Sequence, residues 1–227
     1  MSSARQRAYL EAMGITAWVA RNQPVASGNG PLLAEPAQQQ VAADWTALQA
    51  QVAACTRCEL CEGRTRTVFG VGDPEADWMI IGEAPGAEED RQGEPFVGRA
   101  GQLLNAILRA VGLRREQVFI ANILKCRPPQ NRDPKSEEVE RCMPYLHRQV
   151  ELVRPKLIVA LGRVAAQNLL DSTEAIGRLR GRVHAFGPAA IPVIVTYHPA
   201  YLLRSPLEKR KVWQDLQMAV SVAEAAE

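Results

Sequence analysis

The chain predicts an α/β fold, a three-layer α/β/α sandwich around a four-stranded parallel sheet, and three observations carry that expectation. Short apolar segments rich in β-branched residues recur at 78–81, 118–121, 157–161 and 193–196. Segments with helical periodicity follow them at 101–111, 134–153, 164–170 and 207–223. Alternation of the two kinds is the pattern of parallel strands joined by crossover helices. The strands are apolar at nearly every position, as expected where both faces are covered.

Taken in order, residues 5–21 show a short helical pattern whose apolar side chains Tyr9, Leu10, Met13, Ile15 and Trp18 would form a docking face, on this domain or on a partner protein. Residues 22–43 are rich in Gly, Pro, Ala and Gln with no apolar period, the composition of a flexible linker. The folded unit is expected to span 44–227, opening with a short helix over 45–54 that leads into the first cysteines. Asp133, Pro134 and Glu137 supply a cap, a first-turn proline and an acidic first turn for the helix at 134–153. That helix carries Cys142 toward Cys126.

With 227 residues, 47% of them hydrophobic, the chain can bury a sizeable core. No apolar run approaches a membrane span, and the first residues lack the basic, apolar and small-residue order of a secretory signal. A cytoplasmic monomer is expected, with no membrane partner. Five cysteines, an odd number, favour thiolate ligands over disulfides in such a compartment. The formal charge of +2 neither demands nor excludes nucleic acid.

Four of the cysteines form two pairs, Cys55 with Cys58 and Cys126 with Cys142, separated by 67 residues. Thiolates two residues apart can reach one centre from a turn, and a second pair from a distant strand end and helix can complete a four-thiolate site. An iron–sulfur cluster and zinc take the same ligands, and unrelated buried thiols would look alike at this level.

Open parallel sheets place their polar chemistry beyond the carboxyl ends of the strands. Three ends here carry a suitable side chain: Glu83, Asn122 and His198. Each alone could be a loop cap or turn former, but three on one sheet edge point to a shared pocket. The loop after the first strand reads Gly-Glu-Ala-Pro-Gly at 82–86 and continues to Pro-Phe-Val-Gly at 95–98. It has neither a Gly-Lys-Ser/Thr ending nor a G-x-G-x-x-G, and its five acidic residues would repel a free triphosphate. Its backbone can grip a planar ligand closely, and Phe96 offers either a stacking surface or a core anchor.

These segments, with Glu89-Asp90, the run Lys-Cys-Arg-Pro-Pro at 125–129 and His-Pro-Ala-Tyr-Leu-Leu at 198–203, resemble the family 4 uracil-DNA glycosylases, which carry a [4Fe-4S] cluster. The similarity runs from about Cys55 to the C-terminus. It implies cluster ligands at Cys55, Cys58, Cys126 and Cys142, with Cys61 as a spare that could exchange into the set.

The resemblance further implies hydrolysis of the N-glycosidic bond of deoxyuridine in DNA, with the nucleotide flipped into a tight pocket. Phe96 would stack on the uracil ring and Asn122 would read its N3–H and O4. His198 would donate to O2, and Glu83 would sit near the attacking water and the cationic sugar. Ala84 is placed among the substrate-binding residues, at a position where a related family carries an aspartate, and Glu89 would shape the pocket or cap the loop. Tyr201, Leu202 and Leu203 would wedge into the gap left by the base. Arg204, with Arg99, Lys125, Arg127, Arg132, Lys209, Arg210 and Lys211, would contact phosphates. The cluster would staple loops around the DNA-binding face, since hydrolysis has no redox step.

Two other readings belong to different classes. A relative that forms a covalent sugar adduct through histidine would need an inserted basic loop containing one, and residues 127–135 contain none. A noncatalytic DNA-binding module, tethered to a polymerase or repair partner, would bind uracil-containing DNA without releasing the base.

Overall fold

The computed structural model describes residues 36–225. The helical pattern at 5–21 and the first part of the linker lie outside the described residues. The first described helix, α1, is Pro36–Ala53, so it starts earlier than 45 and takes up the last part of the segment read as linker. Next come α2 (Leu60–Gly63), β1 (Val71–Gly72), β2 (Trp78–Gly82), α3 (Ala87–Gln92), α4 (Arg99–Ala110) and β3 (Phe119–Asn122). The chain continues through α5 (Ser136–Val153), β4 (Leu157–Leu161), α6 (Arg163–Leu169), α7 (Ile176–Leu179) and β5 (Val183–Phe186). It ends with β6 (Ile191–Thr196), α8 (Pro199–Arg204) and α9 (Lys209–Glu224).

The sheet has six strands in the order β1-β3-β2-β4-β6-β5, not four. The four expected strands are its parallel centre, and β1 and β5 add antiparallel edges, making the sheet mixed. Both edges escape sequence reading for a physical reason. β1 is two residues long, and β5 alternates between exposed and partly buried positions, so neither has the continuous apolar run of a doubly covered strand.

Successive residues of the central strands face opposite sides. Met79, Ile81, Ala121, Ile158, Ala160, Val193 and Val195 pack with α1, α5 and α6. Trp78, Ile80, Ile120, Val159 and Ile194 pack with Leu104 and Leu108 of α4 and Ala219 of α9. After β3 the chain crosses over to place β4 on the far side of β2, so the direction of winding reverses at β2. Such a reversal opens a crevice beyond the carboxyl ends.

The start of α5 departs from its expected cap. Its first residue is Ser136, and the Glu138 carboxylate reaches back to accept from the backbone N–H of Lys135 at 2.8 Å. The Arg132 guanidinium forks onto the same carboxylate, with Nη1 2.9 Å from Oε2, while Asp133 pairs with Arg163. At the other side of the sheet, buried Asp215 of α9 accepts from Thr196 Oγ1 at 2.7 Å and from Arg180 Nε at 3.0 Å, fixing the end of β6 two residues before His198.

Candidate active site

A cavity of about 460 Å³ opens beyond β2, β3 and β6, and Glu83, Ala84, Glu89, Phe96, Asn122, His198, Tyr201 and Arg204 all line it. Sheet register explains the convergence, because Gly82 pairs directly with Asn122 and so brings the two strand ends side by side. A Cβ on Gly82 would stand 2.4 Å from Asn122 Oδ1 and 2.6 Å from Phe96 Cζ, so only glycine allows both side chains to close over the strand end. Asn122 is 2% exposed, and its Oδ1 is buried with no hydrogen-bond partner. A buried amide oxygen without a partner costs about 1–3 kcal/mol, a penalty that a donor on a ligand removes.

His198 caps α8. Its Nδ1 accepts from the backbone N–H of Ala200 at 3.1 Å, which leaves Nε2 as the protonated nitrogen of the neutral ring. Burial pulls its pKa down to about 4, Arg204 adding to the effect and Glu89 opposing it. The Phe96 and His198 rings lie 5.5 Å apart, tilted by 31°. Glu83 is partly buried, and desolvation, with Asp133 nearby, raises its carboxyl above the ordinary range against the pull of Arg163. The Glu89 carboxylate accepts from the backbone N–H groups of Val97 and Gly98, at 3.1 and 3.2 Å, so it caps the loop as well as lining the cavity.

All five cysteines line a second pocket, between the turn after α1, the loop after β3 and α5, together with Arg57, Arg64, Arg141 and Tyr145. Burial raises the thiol pKa of Cys58 and Cys126 and pushes Cys142 up to about 11. Cys55 adds to the upward shift at Cys58, Cys126 and Cys142, and Cys61 adds to it at Cys58. Arg64 donates to Cys126 Sγ at 3.2 Å and the backbone N–H of Lys125 to Cys142 Sγ at 3.3 Å. Nothing in the sequence marks Arg64 for this role, since it is one arginine among many in a polar loop.

Two DNA contacts expected from sequence are not at the surface. Leu202 is fully buried against Val212 and Leu216, because α8 turns it inward while Tyr201 and Leu203 stay exposed. Lys125 is 2% exposed and donates to the Asn122 carbonyl at 2.8 Å and to Gln149 Oε1 at 2.6 Å. Desolvation lowers its pKa to about 8. The lysine therefore braces the end of β3 against α5 and cannot reach a phosphate. Arg132 and Lys211 are held in ion pairs with Glu138 and Glu208. Arg99, Arg204, Lys209 and Arg210 stay exposed and outside the ion pairs seen among the described residues.

The chain is similar to known proteins over the stretch that carries this cavity. Residues 69–217 match the family described as the uracil DNA glycosylase superfamily, and the chain belongs to it. It is 47% identical over 173 residues to a type-4 uracil-DNA glycosylase of Archaeoglobus fulgidus, covering 74% of this chain and 87% of that one. A type-4 uracil-DNA glycosylase of Thermotoga maritima is 43% identical over 176 residues, or 75% of this chain and 90% of the relative. A type-5 uracil-DNA glycosylase of Pyrobaculum aerophilum stands further off, at 34% over 146 residues, 58% of this chain and 64% of the relative. Within the superfamily the chain is a member of the type-4 group.

Proposed function

We propose that the cavity excises uracil from DNA by hydrolysing the N-glycosidic bond of a flipped deoxyuridine. The observation that carries this reading is Asn122, an amide buried at a strand end with an orphaned Oδ1, beside an aromatic ring and a neutral histidine. Uracil offers what these groups lack. Its N3–H satisfies Oδ1, its O4 accepts from Nδ2, and its face covers Phe96. Cytosine presents an acceptor at N3 and a donor at N4, the reverse pattern.

Cleavage breaks the bond between sugar C1′ and base N1, and the electron pair leaves with the base, spreading onto O2. His198 Nε2–H donates a hydrogen bond to that oxygen as its charge grows. A neutral donor suits this task because it needs no proton transfer and stays in the same state across the working pH range. Glu83, ionised, stabilises the positive sugar and orients the water that adds to C1′, whose proton leaves to solvent. Tyr201 and Leu203 fill the gap in the stack, and Arg99, Arg204, Lys209 and Arg210 hold phosphates.

The five-cysteine pocket fits a [4Fe-4S] cluster on Cys55, Cys58, Cys126 and Cys142. The donor set supports the cluster: among the described residues the five thiols ring one pocket, and N–H donors such as Arg64 and the Lys125 amide would offset thiolate charge there. Zinc takes the same four ligands. When bound, the cluster would supply no chemistry to the hydrolysis and would tie the turn between α1 and α2, the loop after β3 and α5 together. Among the described residues no helix is long and apolar enough to cross a membrane.

The test is chemical identification of the product. A deoxyuridine oligonucleotide incubated with excess protein should yield free uracil and an alkali-labile abasic strand. Tight binding without free uracil would leave only the noncatalytic reading.

A further inference from the structure

Phe96 has a φ of +53°, a region that a bulky aromatic residue enters only at a cost of about 1–3 kcal/mol. Two charged side chains hold it there by acting on consecutive peptide groups. Arg115, from the turn before β3, donates through Nη1 to the Phe96 carbonyl at 3.3 Å and through Nη2 to the Pro95 carbonyl. From the other direction, Glu89 Oε1 accepts from Val97 N–H and Gly98 N–H. The peptide unit joining Phe96 to Val97 thus has its carbonyl on a guanidinium and its N–H on a carboxylate. Arg115 is itself steadied by Asn105 Oδ1 at 3.4 Å. Gly101 of α4 lets the helix come close, since a Cβ there would lie 1.7 Å from the Phe96 carbonyl oxygen.

We propose that Arg115 and Glu89 form a backbone clamp that sets the plane of the Phe96 ring, and that both are positioning residues rather than contacts to base or DNA. The clamp rests on the reading of Phe96 as the surface on which uracil stacks. Charged groups suit the work because bonds to ions are stronger than neutral ones, and the guanidinium fork matches two carbonyls in a fixed geometry. A loop held only by neutral contacts would let Phe96 relax to negative φ, swinging the ring off the cavity wall.

A double-mutant cycle tests this on the full chain with its metal centre intact. Single-turnover uracil release is measured for wild type, Arg115→Met, Phe96→Ala and the double variant, with DNA affinity measured separately. Arg115→Met should slow release about tenfold with affinity unchanged, and the same substitution should have little further effect once Phe96 is alanine. Arg115→Lys should recover part of the loss, because a point charge can serve only one of the two carbonyls. In Arg115→Lys the amide hydrogens of Val97 and Gly98 should exchange faster while those of β3 do not, a readout independent of activity. An equal loss from Arg115→Met in both backgrounds, a loss of DNA affinity instead of rate, or unchanged exchange at Val97 and Gly98 would overturn the clamp. Undiminished release by Phe96→Ala would overturn the stacking reading itself, which separates the two failures.

Discussion

Nδ1 of His198 accepts a hydrogen bond from the backbone N–H of Ala200 at 3.1 Å, and this single contact decides what the other ring nitrogen can do. With Nδ1 occupied as an acceptor, a neutral ring must carry its proton on Nε2. The helix start fixes the tautomer, and burial keeps the ring uncharged. His198→Ala should therefore lower single-turnover uracil release by ~10² to 10³, the usual cost of one oxyanion donor, with DNA affinity nearly unchanged. A variant that turns over normally would remove His198 from the chemistry.

The pH profile should separate the two polar groups. Burial raises Glu83 above the ordinary glutamate value of 4.5, so release should fall with acid at a pH above 4.5, and Glu83→Gln should lose that limb along with most of its rate. His198 contributes no limb near 6.5, its ordinary value, because the folded ring stays neutral down to about 4. Its effect falls on stability instead. The unfolded chain takes up a proton on His198 below about 6.5 while the folded chain does not, so stability present above that pH drains away between about 6.5 and 4. Denaturant unfolding near pH 7.5 and pH 5 should show a larger acid loss in wild type than in His198→Asn.

Legibility of the fold followed burial. β2, β3, β4 and β6 are buried over most of their length and are apolar up to the polar ends Asn122 and Thr196, so their sequence can mean little else. The edges β1 and β5 owe their pairing to neighbours rather than to their own residues, and α1 extends back to Pro36 through a stretch whose lack of apolar period resembled a linker. In the site, strand-end residues Glu83, Asn122 and His198 could be placed from the strands alone, and the structure brings them to one cavity. Lys125 could not, because its burial depends on Gln149, 24 residues away on α5. Nor could Arg115, whose partners lie 19 and 20 residues back in the loop it holds.

The cysteine assignment makes a colour and an iron count the relevant measurements. Purified protein should absorb broadly near 400 nm and contain about four irons per chain. Cys126→Ala, which removes a buried thiol of the proposed ligand set, should lose both, whereas Cys61→Ala should keep them. Bleaching by Cys61→Ala alone would exchange that residue into the ligand set.

Neighbouring leucines on α8 should behave oppositely. Leu202 is fully buried, so Leu202→Ala should cost about 2–5 kcal/mol in denaturant unfolding. Leu203 is exposed, so Leu203→Ala should leave stability within about 0.5 kcal/mol and slow release from duplex more than from single-stranded substrate. Equal release from both substrates by Leu203→Ala would exclude it from the stack.

The central claim is that Asn122 reads the base through an amide left unsatisfied until uracil enters, and the uracil-to-cytosine ratio of release tests it most directly. Asn122→Asp replaces the donor to O4 by a second acceptor, which repels uracil and accepts the N4–H of cytosine, although N3 would still need a proton. A good bidentate base contact discriminates by ~1 to 3 kcal/mol, so the ratio measured by single-turnover release from matched uracil and unpaired-cytosine oligonucleotides should collapse by at least about tenfold in the variant. An unchanged ratio would contradict the account and move base recognition to Glu89 and the backbone of the loop at 82–86.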